Sequence, residues 1–335
     1  MSSFPASLIA GTVVLLALTV PASAAPVFIE GVSEDGGWYD VNKKTKWSQW
    51  PQVNPLTPGS RPWQWINLPS DYSMCWAAAG SNILQWWQDR YGNVPTGIPN
   101  GSAASTSING LQNISQLQIY QTICENWSDD GGRSIQAWNW WFNGGILPEV
   151  FVQGKTTPSN TTSSGGYWAH LNRTCTIAPN NSLDSSLLFD SYVFYEDLAQ
   201  EDSFKSILKS FIDKGYGSTL SLKGKTEYGE TGHAITLWGY EERENGELVL
   251  YLTDSDDEQY GIFKQAVKMN DTGWLCLSSV DGEEERYSVY NAETGGFFIY
   301  EINGLTVPIP EPSAFGLISG ALAIGVIRRS RKKTD

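Results

Sequence analysis

Apolar and polar positions along the chain fall into two textures. Between Ser73 and Arg90, the positions Ala79, Ile83, Trp86, Trp87 and Arg90 recur at three- and four-residue steps, which predicts an amphipathic helix that Ser73 or Asp71 can cap. Phe204, Ile207, Leu208, Phe211 and Ile212 repeat that spacing over 203–214, with Gly215 as a stop. Beyond it the pattern becomes short β-branched and aromatic runs at 218–222, 233–240, 247–253 and 295–302, divided by Gly, Asn and Asp. Asn245-Gly246 between two of these runs marks a hairpin. A helix-rich first half followed by a strand-rich second half predicts an α+β fold with a cleft between its halves. Residues 28–70 read as an irregular lead-in, while the polar tracts 93–113 and 155–186 read as exposed loops. No internal repeat is evident.

Both ends carry a different pattern. Residues 8–20 are mostly apolar and are followed by Pro21-Ala22-Ser23-Ala24-Ala25, the small-x-small form of a signal-peptidase site, which places cleavage after Ala24. No Lys or Arg precedes the run. Near the other end, Pro310-Glu311-Pro312 is followed by an apolar run over 313–327 and a basic stop. That run is shorter than the roughly 20 residues of a comfortable membrane span. Its basic flank would stay cytoplasmic, leaving the bulk of the chain on the outer side of the inner membrane.

Composition narrows the function classes. With 41% hydrophobic and 17% charged residues, the chain can bury a sizeable core. Residues 25–309 carry 17 basic against 34 acidic side chains, a balance of −17, and no basic stripe. Nucleic acid is therefore excluded as a partner. The 15 Trp, several clustered as Trp138, Trp140 and Trp141, read as core packing in preference to a carbohydrate-stacking surface.

Cys75, at the start of the first helix, is a candidate nucleophile, because the unpaired N–H groups there favour a thiolate. Alone, such a cysteine is more often a buried structural thiol. His233 opens the run GHAITLWGY, where a strand start can present an imidazole across a cleft. His170, the other histidine, sits in a polar loop and reads as solvated. The strand LVLYL runs into Thr253-Asp254-Ser255-Asp256-Asp257-Glu258, placing a carboxylate one hairpin from His233 to accept its second ring N–H. A calcium loop is disfavoured there, since Gln259 stands where the EF-hand pattern needs Gly. Two histidines and no Cys-x-x-Cys make a zinc site hard to assemble, and no cofactor is expected. Export permits one disulfide among Cys124, Cys175 and Cys276, and Cys124 with Cys175 is the pairing suggested by their shared loop-rich region.

Four ordered segments, GWYDVNK (37–43), CWAAAGSNILQWW (75–87), HAITLWGY (233–240) and YLTDSD (251–256), resemble the conserved blocks of the Mac-type, immunoglobulin G-degrading cysteine endopeptidases. That resemblance implies a papain-like fold over 25–307, with a helix-rich sub-domain, an antiparallel β sub-domain and the active-site cleft between them. It makes Cys75 the nucleophile, His233 the base, Asp254 the orienting acid and Asp256 a supporting carboxylate. Lys43 matches the lysine that helps form the oxyanion hole. The insert 47–70 lengthens the step from Lys43 to Cys75 beyond the family pattern, which leaves Gln64, Lys44 or Lys46 as alternative donors. Trp76 and Gln85 stand where the family has Gly and His. The segment 308–335 resembles the PEP-CTERM sorting signal of Gram-negative bacteria, implying an exosortase-type partner, transient inner-membrane contact through 313–327 and a cell-surface or extracellular destination. A protein substrate is implied, immunoglobulin-like in the family itself. A non-catalytic Trp-rich binding protein on the same fold and a Cys-His-Asp acyltransferase or amidase are the rival expectations.

Overall fold

The computed structural model describes residues 25–44, 71–102, 117–144, 164–174, 187–194, 201–226, 229–257, 260–270, 273–280 and 297–308. Residues 1–24, read above as a signal segment, the whole insert 47–70 and the tail from 309 lie outside them. Among the described residues no helix is long and apolar enough to cross a membrane.

The first half contributes β1 (Val27–Phe28), α1 (Cys75–Tyr91), α2 (Gln118–Asn126) and α3 (Ser134–Asn143). The second contributes β2 (Phe189–Val193), α4 (Glu201–Asp213), β3 (Gly217–Thr226), β4 (Gly229–Glu242), β5 (Leu248–Thr253), β6 (Phe263–Met269), β7 (Leu275–Ser278) and β8 (Phe298–Leu305). Strands β4-β3-β8-β7-β6-β5 are neighbours in that order, and β5 pairs back to β4, so six antiparallel strands close into a barrel. The fold is thus α+β, four helices packed against this barrel. β1 pairs with β4 at Tyr240 and Gly239, and β2 pairs with β8.

Helix α1 is central, with Trp76 to Gln88 buried without interruption. It therefore lacks the solvent face that its periodicity suggests, because α2 and α3 cover one side while β3 and β4 cover the other. A Cβ on Gly217 would fall 2.7 Å from Ile83 and 2.9 Å from Trp86, so only glycine lets β3 approach α1 this closely. The tryptophan-rich cluster is core: Trp76, Trp86, Trp87, Trp138, Trp140, Trp141, Trp168 and Trp238 are all buried. Their edge-on ring contacts join α1, α3 and the 164–174 segment, as in Trp87 against Trp168 at 4.9 Å.

The predicted hairpin forms between β4 and β5, with Gly246 at φ 82° and the Asn245 side chain accepting the Glu247 N–H. Helix α4 stops at Gly215, whose N–H reaches Ile212 O at φ 72°. Helices α2 and α3 go unpredicted by periodicity. In α3 the sequence SIQAWNWWFN is buried nearly all round, its Gln136 and Asn139 included, so its polar positions mark no solvent face, and its aromatics are indifferent helix formers.

Candidate active site

Cys75 is the first residue of α1, preceded by Met74 as N-cap, with no side-chain cap. The expected capping by Ser73 or Asp71 is therefore not observed, because the turn before the helix is held from outside. Asp129 accepts the Tyr72 N–H on Oδ2 at 3.0 Å and the Ser73 N–H on Oδ1 at 2.6 Å. Asp71 accepts the Lys44 N–H at 2.7 Å and the Tyr120 hydroxyl at 3.4 Å, and its carbonyl takes the Met74 N–H. Cys75 stays half-buried at the mouth of this turn, with its N–H in the unpaired first turn of the helix.

His233 lies within β4, opposite Leu222, and not at a strand start as expected. The β3–β4 ladder runs on beyond it to Thr226 and Gly229, so the strand begins four residues earlier. Asp254 directly follows β5, whose Thr253 pairs with Thr236 of β4. That register brings Asp254 Oδ1 to 2.6 Å from His233 Nε2. Asp254 thus occupies the Nε2 edge of the imidazole, and the ring and the Cys75 thiol are near enough to shift one another's protonation. Asp256 Oδ2 lies 3.5 Å from Nδ1, and the Asp256 N–H donates to Asp254 Oδ1 at 2.9 Å.

Lys43 is only 2% exposed, and its ammonium reaches Asp256 Oδ1 at 2.9 Å and the Tyr72 carbonyl at 2.5 Å. The long insert does not carry it away, because residues 39–43 are stitched along the strand that bears Asp254. The Lys43 N–H donates to Ser255 O at 2.9 Å, and Thr253 Oγ1 donates to Tyr39 O at 3.0 Å. Asn82 of α1 accepts the Val41 N–H and donates to Thr236 Oγ1 of β4, so one amide ties together the three elements that carry Lys43, Cys75 and His233. Lys44 is exposed, while Lys46 and Gln64 lie outside the described residues.

Electrostatics decides the protonation state of this group. Burial alone pushes the Cys75 thiol up, but the hydrogen bond and charge of His233, with the Lys43 ammonium, overcome it and hold the thiol below its ordinary range, against opposition from Asp256. Burial likewise pushes His233 down, yet Asp254 and Cys75 raise it well above an ordinary imidazole. Lys43 would also be lowered by burial, but Asp256 and Cys75 raise it. The two shifts in opposite directions favour a thiolate–imidazolium pair with an adjacent ammonium. This arrangement can deliver a nucleophile to a bound carbonyl and, from the neighbouring imidazolium, a proton to its leaving group.

His233, Asp254 and Asp256 also place their ligand atoms within 4.8 Å of one another, the spacing of a metal site. Here Lys43 supplies a cation to the Asp256 carboxylate. Gln85, which replaces a histidine of the resembling blocks, lies three turns from Cys75 and holds a loop: its amide donates to Asp89 and Asn100 and accepts the Gly101 N–H. Trp76 is buried, with its indole N–H on Asp130 O at 3.0 Å. Cys124 carries a free thiol beside Tyr120, and burial pushes it up to about 12; its suggested partner Cys175 lies outside the described residues. His170 is exposed. Asp129 and Asn82 were not anticipated, and Asp71 was expected only as a helix cap. Asp129 and Asp130 before Gly131-Gly132 signal a tight turn, but nothing local marks what the turn grips.

No protein-family model matches the chain, and a search of curated proteins finds no match either.

Proposed function

We propose that the protein is a cysteine endopeptidase of papain-like architecture, with residues 25–307 as its peptidase domain. The observation that carries this reading is the imidazole of His233, held 2.6 Å from Asp254 and raised by Asp254 and the Cys75 thiol against the cost of burial, while the same imidazole and Lys43 lower that thiol. The Cys75 thiolate attacks the carbonyl carbon of the scissile peptide. The oxyanion that forms faces the Cys75 N–H and the Lys43 ammonium, with the positive end of α1 behind it. His233 gives its proton to the departing amine, leaving a thioester on Sγ. It then takes a proton from water, whose oxygen attacks the thioester and releases the acid. Asp254 keeps the ring in register and stabilises its cationic form, while Asp256 positions Lys43.

The four ordered blocks support a protein substrate and kinship with the Mac-type endopeptidases. Immunoglobulin-like substrates follow from that kinship alone. The two terminal signals support export from a Gram-negative cell, processing by an exosortase-type enzyme and release at the surface. The test is mass spectrometry of a proteome incubated with the wild-type protein and with Cys75→Ala. New peptide termini appear only with wild type. Identical fragments from both sink the protease reading, while amine incorporation without chain cleavage redirects it to acyl transfer.

A further inference from the structure

We propose that Asp129 is a positioning residue of the Cys75–His233 site, fixing the Tyr72–Ser73 peptide and through it the placement of both Cys75 and Lys43. The proposal rests on the endopeptidase reading for its kinetic consequence, but its geometry stands on its own. The carboxylate accepts two consecutive backbone N–H groups at 3.0 and 2.6 Å, those of the two residues before Met74, the N-cap of α1. The carbonyl of the same Tyr72 residue accepts the Lys43 ammonium at 2.5 Å. The turn is thus gripped from one side by an anion and from the other by a cation. Rotation of the Tyr72–Ser73 peptide would break both grips. With its ammonium shared between Tyr72 O and Asp256, Lys43 then has its direction toward Cys75 set by where that carbonyl stands.

Asp129 can do this because its own loop is anchored twice more. Asp130 O accepts the indole N–H of Trp76, the residue after the nucleophile, and Ser128 Oγ donates to Asp130 Oδ2 at 3.0 Å. A Cβ on Gly132 would lie 2.7 Å from the Trp76 ring, so the loop is pressed flat against it. Arg133 then pairs with Glu301 of β8, its Nε donating at 3.1 Å. The 128–133 loop therefore buckles the start of α1 to the barrel wall, and Asp129 is the part that touches the catalytic turn. Both Tyr72 and Ser73 N–H groups are engaged by it, which leaves the oxyanion to the Cys75 N–H and Lys43.

Asp129→Asn tests this in the full chain, since the amide keeps one acceptor and turns a donor toward the second N–H. The expected result is a fall in kcat of about 100-fold with little change in KM. The decisive readout is the pH dependence of Cys75 alkylation by iodoacetamide, followed by mass spectrometry of the Cys75 peptide. Loss of positioning moves its acid limb to higher pH. Simple removal of a nearby negative charge would move it lower, because a thiolate forms more readily there. An unchanged or lowered limb with kcat near wild type overturns the proposal. Should the Asn variant fail to fold, Asp129→Glu keeps both acceptor oxygens one methylene further out, and the same two readouts apply. If the wild type cleaves no protein yet the limb still rises in the variant, the endopeptidase reading fails and the positioning role stands.

Discussion

At its amino end, α1 meets a chain of ionic contacts, Lys43 to Asp256, Asp256 to His233 and His233 to Asp254, and Asp129, which accepts the N–H groups of the preceding turn. About 20 Å along the same helix, Gln88 meets only neutral partners: it accepts the indole N–H groups of Trp141 and Trp168 at 2.9 and 3.0 Å, and donates to Pro99 O and Asn100. Both ends are buried and both satisfy their polar groups. They differ in whether a proton can move. The neutral end ties aromatic packing to a loop with bonds that have one protonation state, so it holds position without responding to pH or substrate. The charged end is held by groups whose protonation states depend on one another, and the same contacts that place the thiol also set its reactivity. Substitutions at the two ends should therefore separate activity from stability.

The largest contrast is between His233→Ala and Gln88→Met. Removing the imidazole is expected to lower kcat/KM by about 10⁴-fold or more, a loss far larger than the fall in stability from leaving the Asp254 carboxylate without its partner. Gln88→Met strands two buried indole donors, at about 1–3 kcal/mol each, and so lowers stability while kcat per folded molecule stays near wild type. Urea melts and active-site-titrated kinetics of both variants decide it; loss of kcat in folded Gln88→Met removes the distinction.

Next in size is Lys43→Met, where the two ends cease to be cleanly separable. It leaves Asp256 without its cation, costing about 3 kcal/mol, and also withdraws an oxyanion donor. Adding Asp256→Asn removes the stranded charge, so the double variant recovers most of the stability but little of the activity. Recovery of both would assign Lys43 to structure alone.

The charged end was more legible in the sequence than the neutral one. Cys75, His233, Asp254 and Lys43 sit in short ordered blocks whose chemistry restricts the residue type, and the structure brings all four together. Lys43 tests this best, since its step to Cys75 is long, yet backbone bonds to Ser255 and the Asn82 bridge set its place independently of the insert. By contrast, the polar Gln136 and Asn139 of α3 are buried along with its tryptophans, so its period separates no solvent face from a core face, and Asp129 acts 54 residues after Cys75 through backbone N–H groups, which leave no residue-type signature at Tyr72 or Ser73. Helix α4, amphipathic on one exposed layer, was predicted nearly to its ends.

The smallest expected effect is a shift in pH dependence, and it probes the coupling within the charged end most directly. Alkylation of Cys75 should proceed well below the pH at which an ordinary thiol reacts, because His233 and Lys43 hold its thiol low against the cost of burial. Cys124 and Cys276, pushed up by burial to about 12 and about 11, should stay unlabelled at neutral pH, which makes the measurement specific among these three thiols. The sign then follows from each neighbour. Lys43→Met deletes a positive charge that stabilises the thiolate, so the acid limb moves to higher pH. Asp256→Asn deletes a negative charge that opposes the thiolate and releases Lys43 from its ion pair, so the limb moves to lower pH. In turnover, the alkaline limb reports loss of the His233 proton, which Asp254 holds well above the ordinary imidazole range, so Asp254→Asn brings that limb down. Parallel movement of the acid limb in Lys43→Met and Asp256→Asn would show that the carboxylate and the ammonium do not act on the thiol as opposing charges, and the charged end would then differ from the neutral end in composition alone.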